Sequence, residues 1–181
     1  MPASHVALLR GINVGGKNPL PMKALAEEFV AAGCKDVRTF IQSGNVIFSA
    51  PPDHDEDLLA RLLCERLAKR FNYNAPLVLR ATEELRAAVA NNPYLALGAP
   101  EDSLHVMFLT ATPEAEAVKK LDPDRSPGDE YQVIVREIYL RLPNGMARTK
   151  LTNAYFDSKL GVTSTARNWR TTTKLLELME E

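Results

Sequence analysis

Arg10-Gly11-Ile12-Asn13-Val14-Gly15-Gly16-Lys17-Asn18 places two fixed cations among three glycines and two asparagines in one short stretch. Glycine amides beside a guanidinium and an ammonium make a donor-rich surface suited to phosphate or carboxylate. Gly11-x4-Gly16-Lys17 also satisfies most of the phosphate-loop pattern of nucleotide hydrolases. Asn18, however, stands where Ser or Thr would bind magnesium. Pro19 and Pro21 delay the next helix, so Lys17 does not sit in the first turn of a helix aimed at phosphates. No strand ends in the aspartate that would complete the metal site. The expectation is an anion-facing loop without hydrolase machinery, with Arg10 and Lys17 as charge partners and Asn13, Gly15, Gly16 and Asn18 as donors.

Gln42-Ser43-Gly44-Asn45 adds amide and hydroxyl groups that would supplement the loop if their hairpin lies beside the first strand, although turn chemistry alone explains them. Near the other end, Lys150, Lys159, Arg167, Asn168, Arg170 and Lys174 surround Trp169, whose helical spacing from Leu176 reads as core. The candidate ligand-binding set is therefore Arg10, Asn13, Gly15, Gly16, Lys17, Asn18, Gln42, Ser43, Asn45, Arg167 and Asn168. Catalytic groups are sparse. His54 falls in a capping segment and His5 and His105 begin or line strands, while Ser43 sits in Gln-Ser-Gly, outside the Gly-x-Ser-x-Gly turn of hydrolases. Cys34 and Cys64 lack activating neighbours and fall short of the roughly four ligands of a structural zinc site. Glu27-Glu28 and Glu83-Glu84 are consecutive on helices and read as solvated faces. These residues assign no catalytic role, metal or cofactor.

The elements that must position the loop follow from periodicity. His5–Leu9 reads as a buried strand entering the glycine loop. A helix starts at Pro21, with Met22, Leu25, Ala26 and Phe29 inward, and Gly33 stops it. Val37, Thr39 and Ile41 alternate as a strand, the Gln42–Asn45 turn follows, and Val46–Phe48 returns as a hairpin. Asp53 with Glu56 has capping-box spacing ahead of a helix bearing Leu59, Leu62, Leu63, Leu67 and Phe71. A strand over 76–80 completes β-α-β-β-α-β, the split βαβ order of ferredoxin-like units.

Thr82 caps a helix that ends at Asn91-Asn92-Pro93, and a loop leads to a strand over 104–109. Thr112-Pro113 opens a helix to Leu121, and 131–135 and 138–142 form a second hairpin. Helices are expected over 151–160, ended by Gly161, and over 167–179 with Trp169, Thr173, Leu176 and Met179 inward. The order of elements recurs in the second half. The fold class expected is α+β, with two ferredoxin-like β-α-β-β-α lobes packed together, over residues 1–81 and 82–181.

With 45% hydrophobic and 25% charged residues, the 181-residue chain has the composition of a folded globular protein, which disfavours disordered and membrane classes. A formal charge of −1 gives no global attraction to polyanions, so nucleic-acid binding would need a local basic patch. No run reaches the ~20 apolar residues of a bilayer span. The first residues lack signal-peptide character and only two cysteines are present, so a reducing cytoplasm is the expected compartment.

Leu9–Asn18, together with Val37-Arg38-Thr39-Phe40-Ile41-Gln42-Ser43-Gly44-Asn45-Val46, closely resembles the domain of unknown function 1697 family, small bacterial proteins without an assigned activity. Lys150-Leu151-Thr152-Asn153 and Thr165-Ala166-Arg167-Asn168-Trp169 extend the resemblance along essentially the whole chain. It implies a bacterial, cytosolic α+β protein of ferredoxin-like lobes and names no substrate. The first functional reading is a module or enzyme taking a phosphate-bearing small molecule or nucleotide on the Arg10–Asn18 loop. The alternative is a single-stranded RNA binding protein, disfavoured because only Phe40 and Phe48 are available in the first lobe to stack bases.

Overall fold

The computed structural model describes residues 4–16 and 19–181; Lys17 and Asn18, two of the candidate ligand groups, lie outside them. The chain divides into two compact units, the described residues up to Arg86 together with Leu175–Glu181, and Ala87–Lys174.

In the first unit, β1 (His5–Leu8), α1 (Met22–Ala31), β2 (Lys35–Phe40), β3 (Asn45–Ser49), α2 (Glu56–Phe71) and β4 (Val78–Ala81) build a four-stranded sheet in the order β2-β3-β1-β4. Every neighbouring pair is antiparallel. That order, with a helix after the first and third strands, is the ferredoxin-like split βαβ arrangement.

Pro21, extended at φ −63° and ψ 127°, is the residue before α1 and not its first turn. Leu25 and Phe29 point inward from α1, and Leu59, Leu63 and Leu67 form the matching stripe of α2. They pack on Ala7, Val46 and Phe48 of the sheet, with the Phe29 and Phe48 rings 5.2 Å apart. Each such side chain contributes about 1.5–3 kcal/mol on burial. Buried Glu28 ties the helices together through Arg66 (2.8 Å) and Arg70 (2.7 Å) on α2.

The cap of α2 is Asp55, whose carboxylate accepts from Leu58 N–H at 2.9 Å, and not the expected Asp53. Asp53 has φ +53° and belongs to the turn before the helix. Of several acids in Asp-His-Asp-Glu-Asp, only the one directly preceding the first helical residue can bond the third amide of the helix.

The second unit repeats the plan with β5 (Leu104–Leu109), α5 (Ala115–Lys119), β6 (Glu130–Ile134), β7 (Glu137–Arg141), α6 (Asn153–Leu160) and β8 (Ser164–Asn168), in the order β6-β7-β5-β8. Its pairs are again antiparallel, and its core gathers Met107, Leu109, Ile138, Leu140, Phe156 and Leu160. The sequence reading lacked β8. With it, the second lobe is a full β-α-β-β-α-β unit.

Two short helices of the connecting region, α3 (Thr82–Ala90) and α4 (Pro93–Ala96), precede β5, and α7 (Trp169–Glu180) follows β8. Trp169, Thr172, Leu175 and Met179 are the buried residues of α7, so the inner stripe runs one position away from the expected Thr173 and Leu176. Its last turns belong to the first unit, where Arg38 donates to Leu178 O (2.6 Å) and Arg86 to Glu180 (2.9 Å). No helix among the described residues is long and apolar enough to cross a membrane.

Candidate functional site

Strand register brings three connections of the first lobe to one end of its sheet. Leu8, the last residue of β1, lies opposite Asn45 on one side and Val78 on the other, and Phe40 lies opposite Asn45. Hence the connection over residues 9–21, the β2–β3 turn and the segment from α2 to β4 all emerge together. The loop and the Gln42–Asn45 turn, far apart in sequence, are neighbours.

Specific bonds fix that proximity. Leu9 N–H donates to Gly44 O at 2.9 Å. Asn13, with φ +52°, donates its amide to Leu20 O (3.0 Å) and Gln42 O (2.9 Å) and accepts from Leu20 N–H at 2.8 Å. Its side chain thereby closes the loop on itself and pins it to the turn. Both amide protons of Asn13 are directed to protein carbonyls, so its evident work is positioning.

At the start of the loop, Arg10 N–H donates to the Tyr73 hydroxyl and that hydroxyl donates to Arg10 O, each at 2.8 Å. A phenol has one donor and acceptor lone pairs, so one group holds both sides of the Arg10 backbone. Each such bond contributes on the order of 1 kcal/mol net.

Asn45 is fully buried and donates to Phe40 O and Ser43 Oγ, both at 3.0 Å, so it shapes the turn from inside. Gly44 is pressed against the loop: a Cβ there would meet Ile12 Cδ1 at 2.6 Å and Leu9 Cβ at 2.8 Å. Gly15 and Gly16, in contrast, are exposed, with φ of +56° and +73° and nothing within 4 Å of a would-be Cβ. Gln42 is exposed and Arg10 and Ser43 are half-buried. The exposed residues of this end thus include Gly11, Val14, Gly15, Gly16 and Gln42, with Arg10 and Ser43 half-buried beside them.

All sheet pairs of this lobe are antiparallel and α1 starts only at Met22, an arrangement unlike the parallel-strand-to-helix turn of a hydrolase phosphate loop. Ile41 holds φ +51°, a strained state for a β-branched residue, and Val135 holds φ +53° just after β6 in the second lobe. Because the strain recurs in both hairpins, it belongs to the topology.

Arg167 and Asn168 lie in the second unit, at the end of its sheet where β5 begins: His105 is opposite Asn168 and Val106 opposite Arg167. Arg167 is buried and donates to Thr165 Oγ1 (3.0 Å) and Ala166 O (2.8 Å). Asn168 accepts from Thr171 N–H at 2.8 Å and so caps α7. Beside it a groove of about 490 Å³ runs between Glu101 and Asp102 on one side and Trp169, Arg170 and Thr173 on the other. Trp169 is itself buried, as its spacing implied.

Sequence reasoning missed Arg80, which lies buried opposite Val6 in β4, the position that Arg167 holds opposite Val106. A single cation inside the apolar run Leu77-Val78-Leu79-Arg80 was the available signal. It missed Tyr73 as well, for which nothing local signals a partner in the loop. Among the described residues, no cluster of His, Cys, Asp and Glu could hold a metal ion.

Comparison with known proteins agrees with this geometry. The fold matches that of the conserved bacterial protein SP0830 from Streptococcus pneumoniae over 100% of both chains, with a TM-score of 0.76 at 20% sequence identity. Among curated proteins, none matches the sequence. The family model described as protein of unknown function (DUF1697) matches residues 3–139, which spans the glycine loop, the hairpin turn and most of both sheets. The chain belongs to that family, DUF1697.

Proposed function

We propose that the end of the first lobe formed by the Arg10–Asn18 loop and the Gln42–Asn45 turn binds a phosphate-bearing small molecule. The observation that carries this is a loop braced from behind and open in front. Tyr73, Gly44 and the Asn13 side chain hold its backbone, while Gly15 and Gly16 stand exposed in left-handed conformations. Pre-ordered backbone next to Arg10, with Lys17 in the same loop by sequence, binds an anion without the entropy cost of ordering a mobile segment. The second lobe makes the corresponding connection with residues 110–114 alone, so the topology does not require the length of 9–21.

The RNA-binding alternative draws less support. Phe48 is fully buried and Phe40 half-buried, so the described residues of the first lobe present no pair of exposed aromatics on which bases would stack. The two free cysteines fit a reducing, cytoplasmic setting. Thermal-shift measurements with phosphate-bearing metabolites test the proposal: stabilisation is expected in the native protein, reduced in Arg10→Ala and Lys17→Ala and weakened by salt. A shift that survives both substitutions unchanged places the ligand elsewhere.

A further inference from the structure

The end of the sheet that carries the loop also carries a groove. Cys64 and Ala68 of α2 form one wall, and Tyr73, Ala75 and Pro76 the other, of a shallow, open groove of about 320 Å³, at the small end of the range for ligand pockets. Tyr73 is at once a wall of this groove and, through its hydroxyl, the brace of Arg10. The Tyr73 side chain therefore lies between the groove and the loop backbone, which makes the two neighbours.

The lining selects among occupants. Its surface is chiefly apolar, suited to a flat, weakly polar ring. Besides Tyr73, whose hydroxyl is engaged by the Arg10 backbone, the lining residues with strongly polar side chains are Glu65 and Asn74. Asn74 Nδ2 donates to Asn72 O at 3.1 Å and to Asn72 Oδ1 at 3.4 Å, so what Asn74 can offer a ligand is its acceptor Oδ1. Both groups are then acceptors, and they match a ring that bears an exocyclic amine. The Glu65 carboxylate repels a phosphate, so the charged end of such a ligand is directed toward Arg10.

Resting on the anion-binding reading above, we propose that this groove receives the amino-bearing heterocyclic base of a nucleotide whose phosphate lies on the Arg10–Gly16 loop. A uracil, which offers keto acceptors along the same edge, is disfavoured there.

Cys64 makes the test direct. It is half-buried on the groove wall, while Cys34 is buried and its thiol is pushed up to about 11 by burial, so Cys34 serves as a slow internal reference. Affinities for AMP, UMP and ribose 5-phosphate are measured by calorimetry, and N-ethylmaleimide labelling of each cysteine is followed by peptide mass. AMP is expected to bind about tenfold or more tighter than ribose 5-phosphate, the gain of one buried base. It should slow labelling of Cys64 several-fold but not of Cys34, and UMP should bind no better than the sugar phosphate. Ala68→Phe, which fills the groove, should erase the advantage of AMP while sparing ribose 5-phosphate. Glu65→Gln provides an independent variant at the surface, expected to narrow the difference between AMP and UMP.

Equal affinities for AMP and ribose 5-phosphate with Cys64 unprotected overturn the groove assignment and leave the loop as an anion site. Protection of Cys64 by AMP that is undiminished in Arg10→Ala supports the groove and removes the loop. Absence of binding by all three compounds overturns both.

Discussion

Gly44→Ala should be among the most damaging single-methyl changes in the first lobe, and the cost can be worked from two separable sources. The backbone at Gly44 sits at φ +83°, where an L side chain costs about 1–2 kcal/mol. The new methyl would also stand 2.6 Å from Ile12 Cδ1, 2.8 Å from Leu9 Cβ and 3.0 Å from Ile12 Cγ1, all belonging to buried residues. Overpacking of this kind adds about 1–3 kcal/mol, because the turn must lift from the loop or Ile12 must leave its rotamer. Together the penalty is about 2–5 kcal/mol. Gly11→Ala supplies the control: Gly11 shares the lobe and a left-handed backbone, at φ +68°, but nothing lies within 4 Å of its would-be Cβ. It should lose only the backbone part, about 1–2 kcal/mol. Urea denaturation of both variants beside the native protein, comparing midpoints at constant slope, reads the difference. Equal losses in the two variants would refute the claim that the turn is locked against the loop by close approach.

Tyr73→Phe removes both bonds to the Arg10 backbone and should cost about 1–3 kcal/mol, with a parallel loss of affinity for phosphate compounds, as read by urea midpoints and calorimetry. Stability should also fall on acidification: burial, and for His5 the neighbouring His54 ring 4.8 Å away, hold His5 and His105 below their ordinary value of 6.5. The unfolded chain then takes up protons first, so this contribution is complete above pH 6.5 and is lost as pH falls through the window below it; His5→Phe should flatten urea midpoints measured from pH 8 to 5. Glu28→Gln leaves Arg66 and Arg70 without their shared anion. Because those side chains are 34% and 39% exposed, solvent screening reduces the expected loss to about 1–2 kcal/mol by thermal denaturation.

The parts of the fold that could be read from the sequence are those that hydrophobic period dictates. The stripe Leu59, Leu63, Leu67 and the apolar run Val46–Phe48 behind its turn signal are plain in the sequence, and α2 and β3 form there. Strand β8 has no such signature, since Ser164-Thr165-Ala166-Arg167-Asn168 is polar in composition yet mostly buried. It enters the sheet because its hydroxyls are satisfied inside: Ser164 bonds Asp157 at 2.7 Å and receives Asn153 at 2.8 Å, while Thr165 receives Arg167 at 3.0 Å. Such pairings are made between elements and leave no local period. The same limit applies at the candidate site. The loop and the turn could be recognised by residue type, but that Asn13 reaches Gln42 and that Tyr73 clasps Arg10 are consequences of strand register.

The two lobes provide an internal comparison that separates what the topology needs from what it merely carries. Each carries a histidine near the start of its central strand, sets an arginine opposite the residue that follows that histidine, and places a β-branched residue with positive φ after its second strand. Those recurring features follow from building this sheet. At the end of the second lobe that corresponds to the glycine loop, closure is simple: Thr110 N–H bonds Thr163 O at 2.9 Å, Thr163 N–H bonds Thr110 Oγ1 at 3.2 Å, and Leu109 N–H bonds Arg136 O at 2.9 Å. The Leu109 bond reproduces that of Leu9 to Gly44, so the hairpin contact is also part of the topology. What the first lobe adds is the extended glycine loop, the Asn13 clamp and the Tyr73 brace with its groove. None of these is needed to close a sheet that the second lobe closes with residues 110–114, and together they tie the described loop residues to the turn and to Tyr73, beside an apolar cleft. That surplus structure is the strongest physical reason to look for the ligand there.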